Sequence, residues 1–177
     1  MTMELIFAPS PKLKEKSRLV EDSEFGPELS EHMQNMHNKM KELRGIGLAG
    51  VQIGDLRRIL VVDSGTNPIM MVNPEIIDKS DFTTVFEEGC LSLPAARITV
   101  ERSEEITVSY KTPEGESKEE SFLELEAVAI QHEIDHLDGI TILDKVSRLK
   151  RDIYLRKIKK IRRKIKHRIE QNNRLYY

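Results

Sequence analysis

Two histidines one helical turn apart carry the clearest chemistry in this sequence, in the segment Gln131-His132-Glu133-Ile134-Asp135-His136-Leu137-Asp138-Gly139. At i and i+4 on a helix, both imidazoles project from one face, so both can bind a single metal ion. Glu133 directly follows the first histidine and is placed to act as a general base on water beside such an ion. The motif is short, and taken alone it also reads as two surface histidines on a helix. A catalytic site of this kind commonly has three protein ligands and one open position. A metalloprotease would draw its third ligand from downstream, where the later histidine, His167, lies among Lys and Arg. Upstream, Glu87-Glu88-Gly89-Cys90-Leu91-Ser92 offers a thiolate, a strong ligand for zinc or ferrous iron. A lone cysteine is more often a small buried hydrophobe, so the residues alone leave the role of Cys90 open.

A third segment, Gly45-Ile46-Gly47-Leu48-Ala49-Gly50-Val51-Gln52, combines glycines with small apolar residues. It suits a backbone lying close against a ligand, and equally a tight turn leading into a strand. No Gly-Lys-Ser/Thr follows, which disfavours a phosphate loop. Together the three segments resemble peptide deformylase. That family's pattern is G-h-G-h-A-A-x-Q, then E-G-C-h-S, then H-E-h-D-H-h-x-G, with h an apolar residue. Here the three stand in the same order as GIGLAGVQ, EGCLS and HEIDHLDG. The resemblance spans most of residues 4–150, including Pro9 to Leu13 and Asn73-Pro74. Two positions depart from it. Gly50 stands where the family usually has Ala and is expected to loosen its loop slightly. Glu126 falls where the helix entering the site is usually apolar and is expected to face solvent.

The resemblance implies a metal-dependent hydrolase that removes the N-formyl group from the starting methionine of nascent polypeptides and releases formate. Cys90, His132 and His136 would hold one divalent metal, with Fe2+ native and Zn2+, Ni2+ or Co2+ able to replace it. Glu133 would move the proton. The Gln52 side-chain amide and the Leu91 backbone N–H would meet the charge developing on oxygen. Glu88 and Arg102 match positions expected to pair and brace the Cys90 loop, and Asp135 stands either in support of the ligands or on a solvated face. Phe86, Leu125, Val128 and Ala129 would line the methionine pocket, with His132 on its wall and Arg97 at its mouth. Plain core packing is the alternative for those four apolar residues. Backbone groups of Ile46 and Gly47 could pair with an extended peptide, like an added strand.

These residues lie far apart in the chain, and the elements between them must bring them together. Leu29, Met33, Met36, Met40 and Leu43 recur at helical spacing, which predicts a helix over 27–43 ended by Gly45. Arg58 to Asp63 and Ile69 to Val72 read as buried strands, the second ended by Asn73-Pro74. Ile98 to Val100 and Ile106 to Tyr110 read as alternating strands, and Pro113-Glu114-Gly115 as a turn into a partner strand over 119–125. From about Glu126 a helix carries the apolar stripe Ala127, Ile130, Ile134 and Leu137, and Gly139 can end it. Asp144 is expected to cap a last helix running to about Glu170. The fold class is α+β: short antiparallel sheets around a central helix bearing H-E-x-x-H, with a long C-terminal helix. Residues 1–150 would form the catalytic domain and 151–177 a basic extension.

Of the 177 residues, 38% are hydrophobic, enough to close one core. One cysteine excludes an internal disulfide. No apolar run reaches the roughly 18 residues of a membrane span, and the N-terminus lacks a basic signal-peptide start. The expectation is a soluble monomer of the bacterial cytoplasm. Residues 145–177 hold fourteen Lys and Arg against two acids, a net +12, while 1–144 hold fourteen bases against 28 acids, a net -14. Val146, Leu149, Ile153, Ile158, Ile161, Ile165 and Ile169 form the apolar stripe of the last helix. Lys159, Lys160, Arg162, Arg163, Lys164 and Lys166 are too dense for a merely solvated face, because like charges one turn apart repel. In the deformylase family a C-terminal helix docks on the ribosome, so this run is expected to bind ribosomal RNA through phosphates. A non-enzymatic RNA-binding protein is the alternative, and an intact ligand trio argues against that as the sole function.

Overall fold

The computed structural model describes residues 3–65, 67–94 and 96–174; in the last helix its side chains are described for 148–161, 163 and 164. Seven strands are described: β1 (Gly47–Ala49), β2 (Ile59–Val62), β3 (Ile69–Lys79), β4 (Thr83–Glu88), β5 (Ile98–Ser103), β6 (Glu105–Lys111) and β7 (Ser117–Leu123). Three α-helices accompany them: α1 (Pro27–Glu42), α2 (Glu124–Leu137) and α3 (Arg148–Arg174). The strands form a five-stranded antiparallel sheet in the order β1-β2-β3-β6-β7 and a separate antiparallel pair, β4-β5. β1 and β7 are the edges of the larger sheet.

Strand β2 is buried along its whole length because helices cover both faces of its end of the sheet. Ile59 and Val61 pack with Leu48 and Val72 against Met33, Met36 and Met40 of α1. Leu60 and Val62 pack with Ala49 and Met71 against Ala127, Ile130, Ile134 and Leu137 of α2. The side-chain period of two in a strand produces this division. α2 is thus held from the sheet side by its apolar stripe. His132, Glu133 and His136 on the same helix are buried as well. A further apolar cluster joins Leu93, Ile98 and Val100 to Ala8, Leu13, Ile142, Leu143 and Ile158.

Several elements differ from the sequence expectation for local reasons. β3 does not end at Asn73-Pro74 but continues to Lys79 through a register break between Val72 and Glu75. Asn73 is left-handed at φ 53°, and its side chain pairs with the N–H and C=O of Val20 at 2.8 and 2.9 Å. Pro74, which has no N–H, falls in that break. β4 carries a weak apolar pattern and was not anticipated, and α2 begins two residues early, at Glu124. Asp144 does not cap α3. It accepts from the Thr141 N–H and hydroxyl at 2.7 and 2.9 Å, closing the turn Ile142–Lys145, and it pairs with Lys14. The start of α3 is met instead by Ser147 Oγ, which accepts from the Lys150 N–H at 3.4 Å.

The docked face of α3 also departs from the expected stripe. Ile158 is buried, and Val146, Tyr154 and Leu155 pack on the same cluster, whereas Leu149 and Ile153 are 68% and 41% exposed. The step of five from Ile153 to Ile158 breaks the helical period, and Tyr154, one turn before Ile158, takes the inward position. Glu126 is half-buried and accepts from Ser64 Oγ at 2.7 Å. At Gly50 a Cβ would stand 2.9 Å from the Asp55 carbonyl oxygen and 3.0 Å from Ile59 Cγ1, so the missing side chain lets the loop close rather than loosening it.

Gly139 ends α2 in the left-handed region at φ 73°, and a Cβ there would lie 2.5 Å from the Lys14 carbonyl oxygen. Both the backbone angle and the close approach disfavour any side chain. Gly139→Ala is expected to cost at least about 1–2 kcal/mol. Chemical denaturation checks this, and an unchanged midpoint would refute it.

Candidate metal centre

Three segments meet where α2 passes the end of β4. His132 and His136 lie one turn apart on α2, with ring centroids 5.0 Å apart at an interplanar angle of 71°. Cys90, two residues after β4, places Sγ 3.2 Å from His136 Nε2. One ligand atom from each of Cys90, His132 and His136 lies within 4.8 Å of the others, so the trio could hold a metal ion. His132 Nδ1 donates to Glu88 Oε2 at 2.7 Å, which orients the ring and leaves Nε2 for the centre. His136 Nδ1 is buried with no hydrogen-bond partner among the described residues. A thiol and two imidazoles, one held by a carboxylate behind it, fit a borderline-soft divalent ion.

Glu88 is itself fixed by Arg102. The guanidinium donates through Nε and Nη2 to both Glu88 oxygens, at 2.7 and 3.0 Å, and through Nη1 to Asp135 Oδ2 at 2.5 Å. Asp135 also pairs with Lys145 at 3.1 Å. Burial pushes the Glu88 carboxyl up, but hydrogen bonds from His132 and Arg102 outweigh it and hold the group at about 2. Glu88 borders the cleft, yet both its oxygens are engaged, so its place is behind His132 rather than against a ligand.

Glu133 faces the same centre without such partners. It is buried, and Oε2 has no hydrogen bond among the described residues. Burial raises its carboxyl to about 7. Gly47 lies so close that a Cβ there would overlap this carboxylate. Gln52, in the turn after β1, is held by its Oε1 accepting from the Ala49 N–H at 2.8 Å. Its Nε2 donates to Ser92 Oγ at 3.2 Å and faces Cys90 Sγ at 3.7 Å. Ser92, fully buried, ends the EGCLS motif and was assigned no role from the sequence.

The centre opens into a cleft of about 510 Å³. Gly45, Ile46 and Gly47 form one side, Phe86, Leu125 and Val128 supply apolar surface, and Cys90, Leu91, His132 and Glu133 complete it with Arg97. Ala129 does not line the cleft. It sits in the core against the sheet with Ala49 and Ile130, because it lies on the side of α2 that the stripe buries. Arg44 and Leu43 do line it and were not anticipated. Lys159, Lys160, Arg163 and Lys164 are exposed on α3 and none of them borders the cleft. The side chains of Arg162 and Lys166 lie outside the described residues.

A thiol and two helix-borne imidazoles grouped at a cleft whose lining includes the buried carboxylate of Glu133 define a hydrolytic enzyme. The chain matches the model of the family described as "Polypeptide deformylase" over residues 2–152. It is 42% identical over 163 residues to the peptide deformylase of Bartonella tribocorum, covering 88% of this chain and 90% of that one. A crystal structure of a peptide deformylase from Legionella pneumophila superposes with a TM-score of 0.85 at 36% identity, over 92% of this chain and 96% of that one. A Met-Ala-Ser-bound crystal structure of the class I type b peptide deformylase from Acinetobacter baumannii gives 0.79 at 32% identity, over 82% and 99%. The chain belongs to the polypeptide deformylase family, hydrolases that take the N-formyl group from nascent peptides.

Arg102 is the buried counter-charge of two carboxylates. Arg102→Met is expected to lower stability by about 3–5 kcal/mol, since both carboxylates are then left without it. Urea unfolding measures this, and a loss under about 1 kcal/mol would count against the assigned role of the cluster.

Proposed function

We propose that this chain hydrolyses the N-formyl group of nascent polypeptides, releasing formate and a free methionine amine, at one divalent metal held by Cys90, His132 and His136. The observation that carries this reading is the buried Glu133 carboxylate, its Oε2 without a partner among the described residues, on one cleft with Cys90 and His132 of that trio. When bound, the metal supplies Lewis-acid stabilisation of negative charge and a water of lowered pKa. Glu133 takes a proton from water and delivers it to the leaving nitrogen. The Gln52 amide, fixed beside Cys90, and the Leu91 N–H donate to the formyl oxygen as charge develops on it. The methionine side chain lies against Phe86, Leu125, Val128 and His132, and the peptide backbone pairs with Ile46 and Gly47. The Acinetobacter baumannii structure is bound to Met-Ala-Ser, a peptide that begins with methionine as the product of this reaction would. Fe2+ is the native metal in this proposal, with Zn2+, Ni2+ or Co2+ as replacements; a thiolate with two imidazoles suits this set. The enzyme would work as a monomer in the bacterial cytoplasm, where formylated chains are made.

Residues 1–150 carry the chemistry in this reading, and the extension proper starts after Ile158, since Tyr154, Leu155 and Ile158 pack on the body. The run Lys159, Lys160, Arg162, Arg163, Lys164 and Lys166 would bind ribosomal RNA through phosphates, with steep salt dependence.

Formate release from a formyl-Met peptide, with and without a chelator, tests the reaction. Glu133→Ala is expected to keep its metal and lose on the order of 10²–10⁴ in rate, while Cys90→Ala loses metal and turnover together. A Glu133→Ala enzyme within twofold of the parent, or a Cys90→Ala enzyme with stoichiometric metal and full rate, would overturn the site. Truncation after Ile158 should preserve turnover of a short peptide and abolish co-sedimentation with ribosomes in low salt. Retention of the parent's ribosome affinity would remove the tail from the proposal.

A further inference from the structure

The cleft mouth carries positive charge on a body that is strongly negative. Residues 1–144 have twice as many acids as bases, yet the cleft is lined by two exposed guanidinium groups, Arg44 and Arg97, from separate segments. Among the acids lining the same cleft, Glu88 is held by Arg102 and His132, and Glu133 lies buried at the floor. Glu87 also lines the cleft and is exposed at its rim, one carboxylate against the two guanidinium groups.

Arg44 occupies a position that its own fold does not favour. It stands just past the C-terminus of α1 at φ 57°, with its N–H on the Lys41 carbonyl at 2.9 Å and the next N–H, of Gly45, on Met40 at 2.9 Å. This is the left-handed helix terminus usually given to glycine, because a Cβ is disfavoured there. Among the described residues the Arg44 guanidinium makes no hydrogen bond or ion pair, so no structural contact accounts for arginine at this place.

We infer that Arg44, with Arg97, selects for an acidic side chain at the second or third residue of the formylated peptide. The inference rests on the deformylase reading of the cleft. Gly47 lies against Glu133, where the formyl group is processed, and Arg44 is three residues away, at most about 10 Å along the chain. An extended peptide paired with this segment advances about 3.3 Å per residue. Its second and third residues therefore come within reach of the Arg44 side chain, and a carboxylate there meets a guanidinium that has no other partner.

The test compares C-terminally amidated formyl-Met-X-Ala and formyl-Met-Ala-X peptides, with X as Asp, Asn or Lys. For the metal-loaded parent at low salt, kcat/KM is expected to favour Asp over Lys by about threefold or more at one of the two positions. The difference should reside in KM and shrink as salt screens it. Arg44→Gly, whose new residue suits the left-handed backbone, should keep or raise the thermal midpoint while the Asp-to-Lys ratio falls toward one. Arg44→Glu should invert the ratio. Equal hydrolysis of Asp and Lys peptides at both positions by the parent overturns the inference, as does an unchanged ratio in Arg44→Gly. Failure of the parent to hydrolyse even the Asn peptides overturns the deformylase reading, and this inference with it.

Discussion

The buried guanidinium of Arg102 is the contact on which the functional part of the molecule depends. It ties β5, which carries it, to Glu88 at the end of β4 and to Asp135 on α2. It works with two further polar ties between the two-stranded pair and α2: Gln131 exchanges hydrogen bonds with the Ser103 N–H and C=O at 3.2 and 2.9 Å, and His132 bonds Glu88. The bidentate geometry fixes Glu88, and Glu88 fixes the His132 ring. Cys90 follows Glu88 by two residues, so the same ion pair that orients one candidate ligand also delivers another.

Much of the site was legible because its central spacing is local. His132, Glu133 and His136 need only one helix, and the period of 3.6 settles their common face. The convergence of Cys90 and Gln52 on that face is a property of chain topology, and no spacing encodes it; the resemblance to deformylases supplied it. Ala129 shows how such a transfer goes wrong: its neighbour Val128 turns to the cleft, while Ala129 turns to the sheet. The long helix shows a different failure. Isoleucines at near-helical steps suggested one stripe, but a single step of five moved the docked face onto Tyr154 and Leu155.

The strands were legible in proportion to their burial. β2, covered on both faces, is a continuous apolar run, and β5 and β6 alternate clearly. β4 escaped because its outer face is exposed and its other face mixes Thr84 with Phe86, which lines the cleft, and Glu88, which holds the ion pair, rather than forming a uniform core. The passage through Asn73 and Pro74 was equally opaque. A left-handed asparagine that pairs with the backbone of Val20 lets a strand continue where sequence signals say it must stop.

The unpaired edge of a sheet invites self-association. Here the exposure is limited by length. β1 is three residues long, closed on one side by the turn at Arg44 and Gly45 and on the other by the turn that begins at Gly50. It offers enough backbone for a short segment but too little to template a second sheet. The opposite edge, β7, is seven residues long and carries Lys118, Glu119 and Glu120 in succession. One edge is protected from aggregation by brevity and burial and the other by charge.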